Sequence, residues 1–478
     1  MEEVLYRWIE ATASVRAEVL RGIGFALTLA VTVHALLRKR EVSVAIGWIG
    51  LAWLSPVFGS GLYALFGVNR VSRRAQKLRP KPSETEAGAR GPGVAAVHGF
   101  EPLEHAVRRI SGLPLVGGNA VDLFRNGDAA YPAMLEAIGQ ASESVALSSY
   151  IFRDDDTGRA FCEALAAAKA RGAEVRVLID GVGGGYFNPA AYKRLRAAGV
   201  PAGLFMHSAL PWRMPFLNLR THKKILIVDG RTAFTGGINI SDANRVARDP
   251  PHPVRDTHFR LRGPVVEQLA LAFAREWAFV TGEDLDGPRW FPPLSPAGAT
   301  AARVVTSGPD ADVRKIELVV LEAISCARRS IRLATPYFLP AEMVVNALCL
   351  AALRGIAVDV VIPGKSDHRF IDWASRAHFD PLLEAGVAIW LDAPPFDHSK
   401  LLVVDEAWCF VGSANWDMRS FRLNFELNVE LYEPALAGDL DAFIRAKRHK
   451  RLTRHDLRAR ALPVRLRDAA VRLLLPYL

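Results

Sequence analysis

His222-Lys-Lys-Ile-Leu-Ile-Val-Asp229 and His398-Ser-Lys-Leu-Leu-Val-Val-Asp405 are two copies of one pattern in a chain of 478 residues. After six intervening residues each aspartate is followed by a second matched piece, Gly236-Gly-Ile-Asn239 in the first copy and Gly412-Ser-Ala-Asn415 in the second. Five fixed positions of these residue types would match by chance in roughly one chain in ten thousand of this length, so two matches are no accident. In an extended strand, residues two apart face the same side. His222 and Lys224 therefore share one face, as do His398 and Lys400. The aliphatic runs 225–228 and 401–404 read as buried strand.

The duplication extends outward from these motifs. Ser-Val-Ala-Leu-Ser-Ser-Tyr150-Ile-Phe answers Ser-Ile-Arg-Leu-Ala-Thr-Pro-Tyr337-Phe, and Arg171-Gly-Ala-Glu-Val-Arg-Val-Leu-Ile-Asp-Gly answers Arg354-Gly-Ile-Ala-Val-Asp-Val-Val-Ile-Pro-Gly. Alanine-rich helical stretches precede β-branched runs in both halves, which predicts an α/β fold with a largely parallel sheet covered by helices. Two such units are expected to pack about a pseudo-two-fold axis and bring equivalent loops to one shared site. The expected organisation is an N-terminal anchor over 1–79, a linker over 80–116, a first repeat over 117–290, a second over 300–445 and a basic amphipathic tail over 446–478.

Two imidazoles and two ammonium groups around one point suit a phosphodiester. One His attacks phosphorus, the other protonates the leaving oxygen, and the lysines stabilise the non-bridging oxygens. Asn239 and Asn415 add neutral donors after tight glycine turns. Asp229-Gly230 and Asp405-Glu406 sit between apolar runs and read as hairpin turns. Glu426, 28 positions after His398, and Asp256, 34 after His222, are candidates to accept from an imidazole Nδ1–H and fix its tautomer. No carboxylate cluster with ligand spacing lies near either motif, and the lysines supply the charge a divalent ion supplies elsewhere, so no metal or cofactor is expected.

Composition narrows the partners. The net charge is +10, but residues 1–80 hold +6 and 445–478 hold +9, leaving the body at −5. A nucleic-acid enzyme would place its basic residues around the active groove; basic ends beside apolar segments fit an anionic lipid surface instead. Residues 22–37 and 42–68 are apolar runs separated by Arg38-Lys-Arg40, long enough for two membrane spans, with Pro56 kinking the second. The outer flanks together carry eight Lys and Arg against three in the short loop, which predicts a cytoplasmic catalytic body, although the loop's own three basic residues oppose that orientation. In the tail, Val464, Leu466, Val471, Leu473, Leu474 and Leu475 are expected to form an apolar side, with Arg465, Arg467 and Arg472 solvated, and to press the body onto anionic membrane. The cysteines Cys162, Cys326, Cys349 and Cys409 show neither CxxC spacing nor a His set, which argues against a zinc module or disulfide scaffold.

These motifs resemble the phospholipase D superfamily, marked by two HxKxxxxD motifs each followed by GG/S-x-N. Tyr150-Ile-Phe, Arg255-Asp256-Thr, Thr335-Pro-Tyr-Phe, Ile362-Pro-Gly-Lys-Ser-Asp-His368 and Gly412 to Phe421 with Leu423-Asn-Phe-Glu426, together with the N-terminal hairpin, resemble bacterial cardiolipin synthases over nearly the whole chain. The resemblance implies an enzyme of the bacterial inner membrane that converts two phosphatidylglycerol molecules to cardiolipin and glycerol. It implies catalytic roles for His222, Lys224, Asp229, His398, Lys400 and Asp405, with His222 as nucleophile and His398 as acid and then base. Two departures stand out: Arg220-Thr precedes His222, and Gly237 has no hydroxyl where the second motif has Ser413. Hydrolysis to phosphatidic acid, transfer to a different alcohol and, with less support, cleavage of another phosphodiester remain open, and the oligomeric state is not legible.

Overall fold

In the computed structural model, the described residues are 2–38, 42–67, 94, 99–207, 219–308 and 312–473. They fall into two compact units, divided between Lys77 and Leu78.

The first unit begins with a helix over Glu2–Arg38. Its Glu18–Arg38 portion is long and apolar enough to cross a bilayer by length and composition. The second apolar run is not one kinked span. It breaks at Ser55 into helices Val42–Leu54 and Pro56–Leu62, followed by a wide turn over Tyr63–Gly67. Pro56 cannot donate to the preceding turn and opens a new helix there instead. The 13-residue piece rises about 20 Å, short of the ~30 Å hydrocarbon core. It lies against the first helix, where the Thr28 hydroxyl donates to the Ala52 carbonyl at 3.0 Å and the Trp53 indole to Thr32 Oγ1 at 3.2 Å.

The second unit is built on one 15-stranded sheet, and the order of fourteen of its strands reads the same from the middle outward in both directions. Val116–Arg125 and Thr300–Ser307 pair antiparallel at the centre. Outward from the first follow Thr257–Arg262, Thr232–Gly236, Ile225–Val228, Ser144–Ser149, Glu174–Asp180 and Ala202–Phe205. Outward from the second follow Glu426–Tyr432, Trp408–Gly412, Leu401–Val404, Ser330–Ala334, Ala357–Pro363 and Ala388–Asp392. Each half has three parallel strands toward its outer end, but the pairings from there through the centre are antiparallel. The sheet is therefore mixed rather than largely parallel, because hairpins rather than helical crossovers join the strands around each motif. Every residue of 225–228 and 401–404 is buried, as strands covered on both faces require.

Two boundaries differ from the reading of the sequence. Within 80–116, helix Glu101–Ser111 buries Leu103 and Val107 completely, against a core that includes Val319 and Val320 of helix Lys315–Cys326. The apolar spacing 103/107/110 decides that, and the flanking prolines and glycines concealed it. The C-terminal stretch is partly structural as well: Lys450–Leu452 adds an edge strand beside Ala388–Asp392. Helix Leu462–Arg472 then buries Val471 with Leu339 and Ala374. Leu462, Leu466 and Leu473 remain exposed; Leu474 and Leu475 lie outside the described residues.

Candidate active site

The two HxK segments enter the sheet from opposite halves, and each is held by the other half. The His222 amide donates to the Phe425 carbonyl at 2.9 Å, beside a parallel bridge between Thr221 and Phe425. The His398 amide donates to the Arg255 carbonyl at 2.7 Å, where Phe396–Asp397 pairs with Val254–Arg255. Residues 425 and 255 each precede a carboxylate, so this exchange delivers each carboxylate to the opposite imidazole. His222 Nδ1 lies 3.0 Å from Glu426 Oε2, and His398 Nδ1 lies 2.8 Å from Asp256 Oδ2. The rings face one another with centroids 6.4 Å apart. With both Nδ1 atoms engaged, Nε2 is the nitrogen of each ring left for chemistry.

Lys224 and Lys400 lie on the same faces as their histidines, as strand alternation demands, and each ammonium donates to the carbonyl of its own His, Lys224 at 2.6 Å. Both are buried. Burial pulls Lys224 down to about 7 and Lys400 to about 8, with the neighbouring carboxylates Glu426 and Asp256 opposing that fall.

The two imidazole–carboxylate pairs are not electrostatically alike. Burial lowers His222 to about 4, against the attraction of Glu426. Burial also pushes Glu426 upward, but His222, Lys224 and the Ser413 hydroxyl overcome it and hold the carboxyl below its usual range. Glu426 is thus ionised opposite a neutral His222. In the other pair burial pushes Asp256 up to about 7 and takes His398 well down. Read as one unit, that pair keeps a shared proton on the Nδ1–Oδ2 line up to neutral pH.

Gly237 and Ser413 occupy equivalent places and serve the two carboxylates differently. The Ser413 hydroxyl donates to Glu426 Oε2 at 2.5 Å, and its carbonyl lies 3.0 Å from His222 Nδ1. The Gly237 backbone hydrogen-bonds His398 in turn. A Cβ on Gly237 would lie 2.2 Å from Asp256 Oδ1, so the missing side chain is what admits the shorter aspartate arm.

Asp229 and Asp405 stand at the far ends of strands 225–228 and 401–404 from the imidazoles. Both have positive φ, 52° and 55°. Asp229 accepts from the amides of Ser142, Glu143 and Ser144, and Asp405 from those of Arg328, Arg329 and Ser330, with shortest contacts of 2.8 and 2.7 Å. The geometry gives them the turn role; the catalytic role implied by resemblance has no contact here to support it. Asn239 Oδ1 accepts from the Ile151 amide at 3.2 Å, and buried Asn415 Oδ1 has no protein partner among the described residues.

Several neighbours of the site went unassigned in the sequence. Tyr150 packs edge-on to His222 at 4.9 Å, and Tyr337 edge-on to His398 at 6.2 Å. Their equivalent places in the repeat were the available signal. Asp180 accepts from the Thr221 amide at 2.9 Å, and Lys223 pairs with Glu276 at 3.0 Å, both beside the first HxK segment. Arg220 hydrogen-bonds Tyr150 and feels the charges of Asp180 and Arg419.

The chain matches the family described as "Cardiolipin synthase, PLD-like domain" over residues 134–249 and 320–447, one segment in each half of the sheet. The chain belongs to that family. It is 34% identical to a cardiolipin synthase of Geobacillus thermodenitrificans over 92% of this chain and 90% of that one. It is 30% identical to the major cardiolipin synthase of Bacillus subtilis over 97% and 99%. Among solved structures, a phosphatidylserine synthase of Haemophilus influenzae superposes with a TM-score of 0.59 at 13% identity, covering 79% of this chain and all of that one. That likeness concerns the fold. Family membership makes the enzyme a phosphatidyltransferase of the phospholipase D type and a cardiolipin synthase.

Proposed function

We propose that the chain transfers a phosphatidyl group from one phosphatidylglycerol to another through a phosphohistidine on His222. The observation that carries this reading is the pair of facing imidazoles, each with Nδ1 committed to a buried carboxylate from the other repeat. Neutral His222, backed by ionised Glu426, presents a Nε2 lone pair to phosphorus. As the P–N bond forms and the P–O bond to the glycerol headgroup breaks, His398 gives its Nε2 proton to the leaving oxygen while the proton shared with Asp256 settles on Nδ1, leaving a neutral imidazole beside an ionised Asp256. In the second half His398 takes the proton of the acceptor's hydroxyl, that oxygen attacks phosphorus, the P–N bond breaks and His222 is regenerated. Lys224 and Lys400 stabilise the non-bridging oxygens in both transition states. Asp256 and Glu426 act through the imidazoles as positioning residues.

The apolar N-terminal unit supports residence in a bacterial inner membrane, with Glu18–Arg38 as one span and the shorter helices 42–54 and 56–62 completing a hairpin. The flanking positive charge supports a cytoplasmic catalytic body. The test is the full chain in vesicles containing radiolabelled phosphatidylglycerol, with products separated by thin-layer chromatography. Cardiolipin with an equal amount of glycerol is expected. Phosphatidic acid as the main product would replace this reading with a hydrolase.

A further inference from the structure

The strands Glu174–Asp180 and Ala357–Pro363 hold equivalent places in the two halves, each between two parallel neighbours. The loops that leave them are equivalent too. Gly181 opens the first and Gly364 the second, and six residues on each carries a phenylalanine, Phe187 and Phe370. Phe187 is 90% exposed and Phe370 57%. Side chains of this size normally leave water, so two strongly exposed copies at matched positions call for a partner.

Each loop also leans on the catalytic centre by the same route. In the first, Gly183 sits so close to Tyr150 that a Cβ there would lie 2.2 Å from the tyrosine carbonyl, and Tyr150 packs on His222. In the second, Asp367 accepts from the Tyr337 hydroxyl at 2.5 Å, the His368 ring lies 5.5 Å from that of Tyr337, and Tyr337 packs on His398. The two loops that carry the phenylalanines therefore reach the site from the two sides of the pseudo-two-fold.

We propose that Phe187 and Phe370 are a matched pair of bilayer-inserting side chains that seat the mouth of the catalytic cleft on the membrane. The proposal rests on the phosphatidyl-transfer reading, which puts the substrate in that bilayer. A planar partner is what can cover both sides of a two-fold mouth at once. The surroundings of Phe370 fit an anionic one. Lys365 and Arg369 are exposed beside it, and its ring meets Trp373 at 5.3 Å. Helix Leu462–Arg472, whose Arg467 stacks 4.0 Å over Trp373, shows Leu462 and Leu466 to solvent between arginines. Aromatic and leucine side chains interleaved with Arg and Lys are the composition of an interfacial surface.

The experiment uses the full chain reconstituted in vesicles, with the partly exposed Cys326 and Cys349 changed to Ser and a fluorophore placed on Phe187→Cys, Phe370→Cys or, as a control on an exposed position of another helix, Gln140→Cys. Lipids brominated in their acyl chains should quench the labels at 187 and 370 and spare the label at 140. Equal quenching at all three, or protection of 187 and 370 only by contact with a second copy of the chain, would overturn the proposal. In parallel, the double variant Phe187→Asp/Phe370→Asp should lose about tenfold or more in turnover of vesicular phosphatidylglycerol, while turnover of monomeric dihexanoyl-phosphatidylglycerol changes little. Equal loss on both substrates would also overturn it. If the unaltered chain converts neither substrate, the transfer reading fails, and the quenching result still decides the docking.

Discussion

At the scale of single residues, the site is two proton inventories 6.4 Å apart. His222 is free of its extra proton above about pH 4, and the Asp256–His398 pair gives up its proton near 7. Lys224 and Lys400 lose charge near 7 and 8. The signs follow directly. Falling pH removes the nucleophile's lone pair, while rising pH removes the acid and then the phosphate-binding charge. We predict that kcat/KM for a monomeric short-chain phosphatidylglycerol is bell-shaped, with its acid limb near pH 4 and its alkaline limb between about 7 and 8. A rate that climbs steadily to pH 9 would contradict the assignment. Glu426→Gln keeps the shape but removes the charge that favours the imidazolium-like nitrogen of the intermediate. It should cost about a hundredfold or more in kcat with a folded protein by circular dichroism. A small loss confined to KM would leave Glu426 a merely structural group.

At the scale of elements, the HxK strands are readable from the motifs alone, because alternation forces His and Lys to one face and the aliphatic run behind them into the core. The carboxylate partners are readable only as types. Linear order sets Glu426 beside His398 and Asp256 beside His222, whereas the fold exchanges them. The exchange depends on the parallel pairing of Phe396–Asp397 with Val254–Arg255, and no local propensity in either dipeptide specifies a partner more than a hundred residues away. The motif aspartates make the opposite case, for their turn chemistry was legible beside the imidazole's. Each gathers three backbone amides at a positive-φ position that Asn also tolerates. Asp229→Ala and Asp405→Ala should each lower stability by about 1–3 kcal/mol in urea unfolding, while Asn at either position restores part of it. For the surviving folded fraction kcat should stay within a few-fold of the parent. A thousandfold fall in kcat with unchanged stability would return both residues to the chemistry.

At the scale of the whole molecule, the shared site exists only while the halves stay in register, and the centre of the sheet sets that register. Strand Glu426–Tyr432 alternates Glu426, Asn428 and Glu430 with Leu427, Val429 and Leu431, all of them buried. The alternation was visible in the sequence, but a strand with a fully buried polar face cannot be told there from a half-exposed one. The polar face divides its work. Glu426 meets His222 at one end, and at the other Glu430 pairs with Arg303 of Thr300–Ser307 at 2.5 Å, with both side chains wholly excluded from solvent. Trp408 Nε1 and the Tyr432 hydroxyl also donate to Glu430, each at 3.2 Å, while Arg303 reaches the Glu104 carbonyl at 3.1 Å. This pair therefore ties the helix before the first repeat to the strand that supplies the nucleophile's carboxylate. Removing one partner leaves an uncompensated charge in the core, so Arg303→Met should destabilise the protein by about 3–5 kcal/mol. Arg303→Met/Glu430→Leu removes both charges and should recover most of that loss. Because Glu426 shares the strand, the single variant should also lose kcat at temperatures where it is still folded, and the double variant should regain it. If the double variant is as unstable as the single, the network holds the strand through Trp408, Tyr432 and Glu104 rather than through the ion pair, and urea unfolding of both variants together with Glu430→Leu alone separates the two.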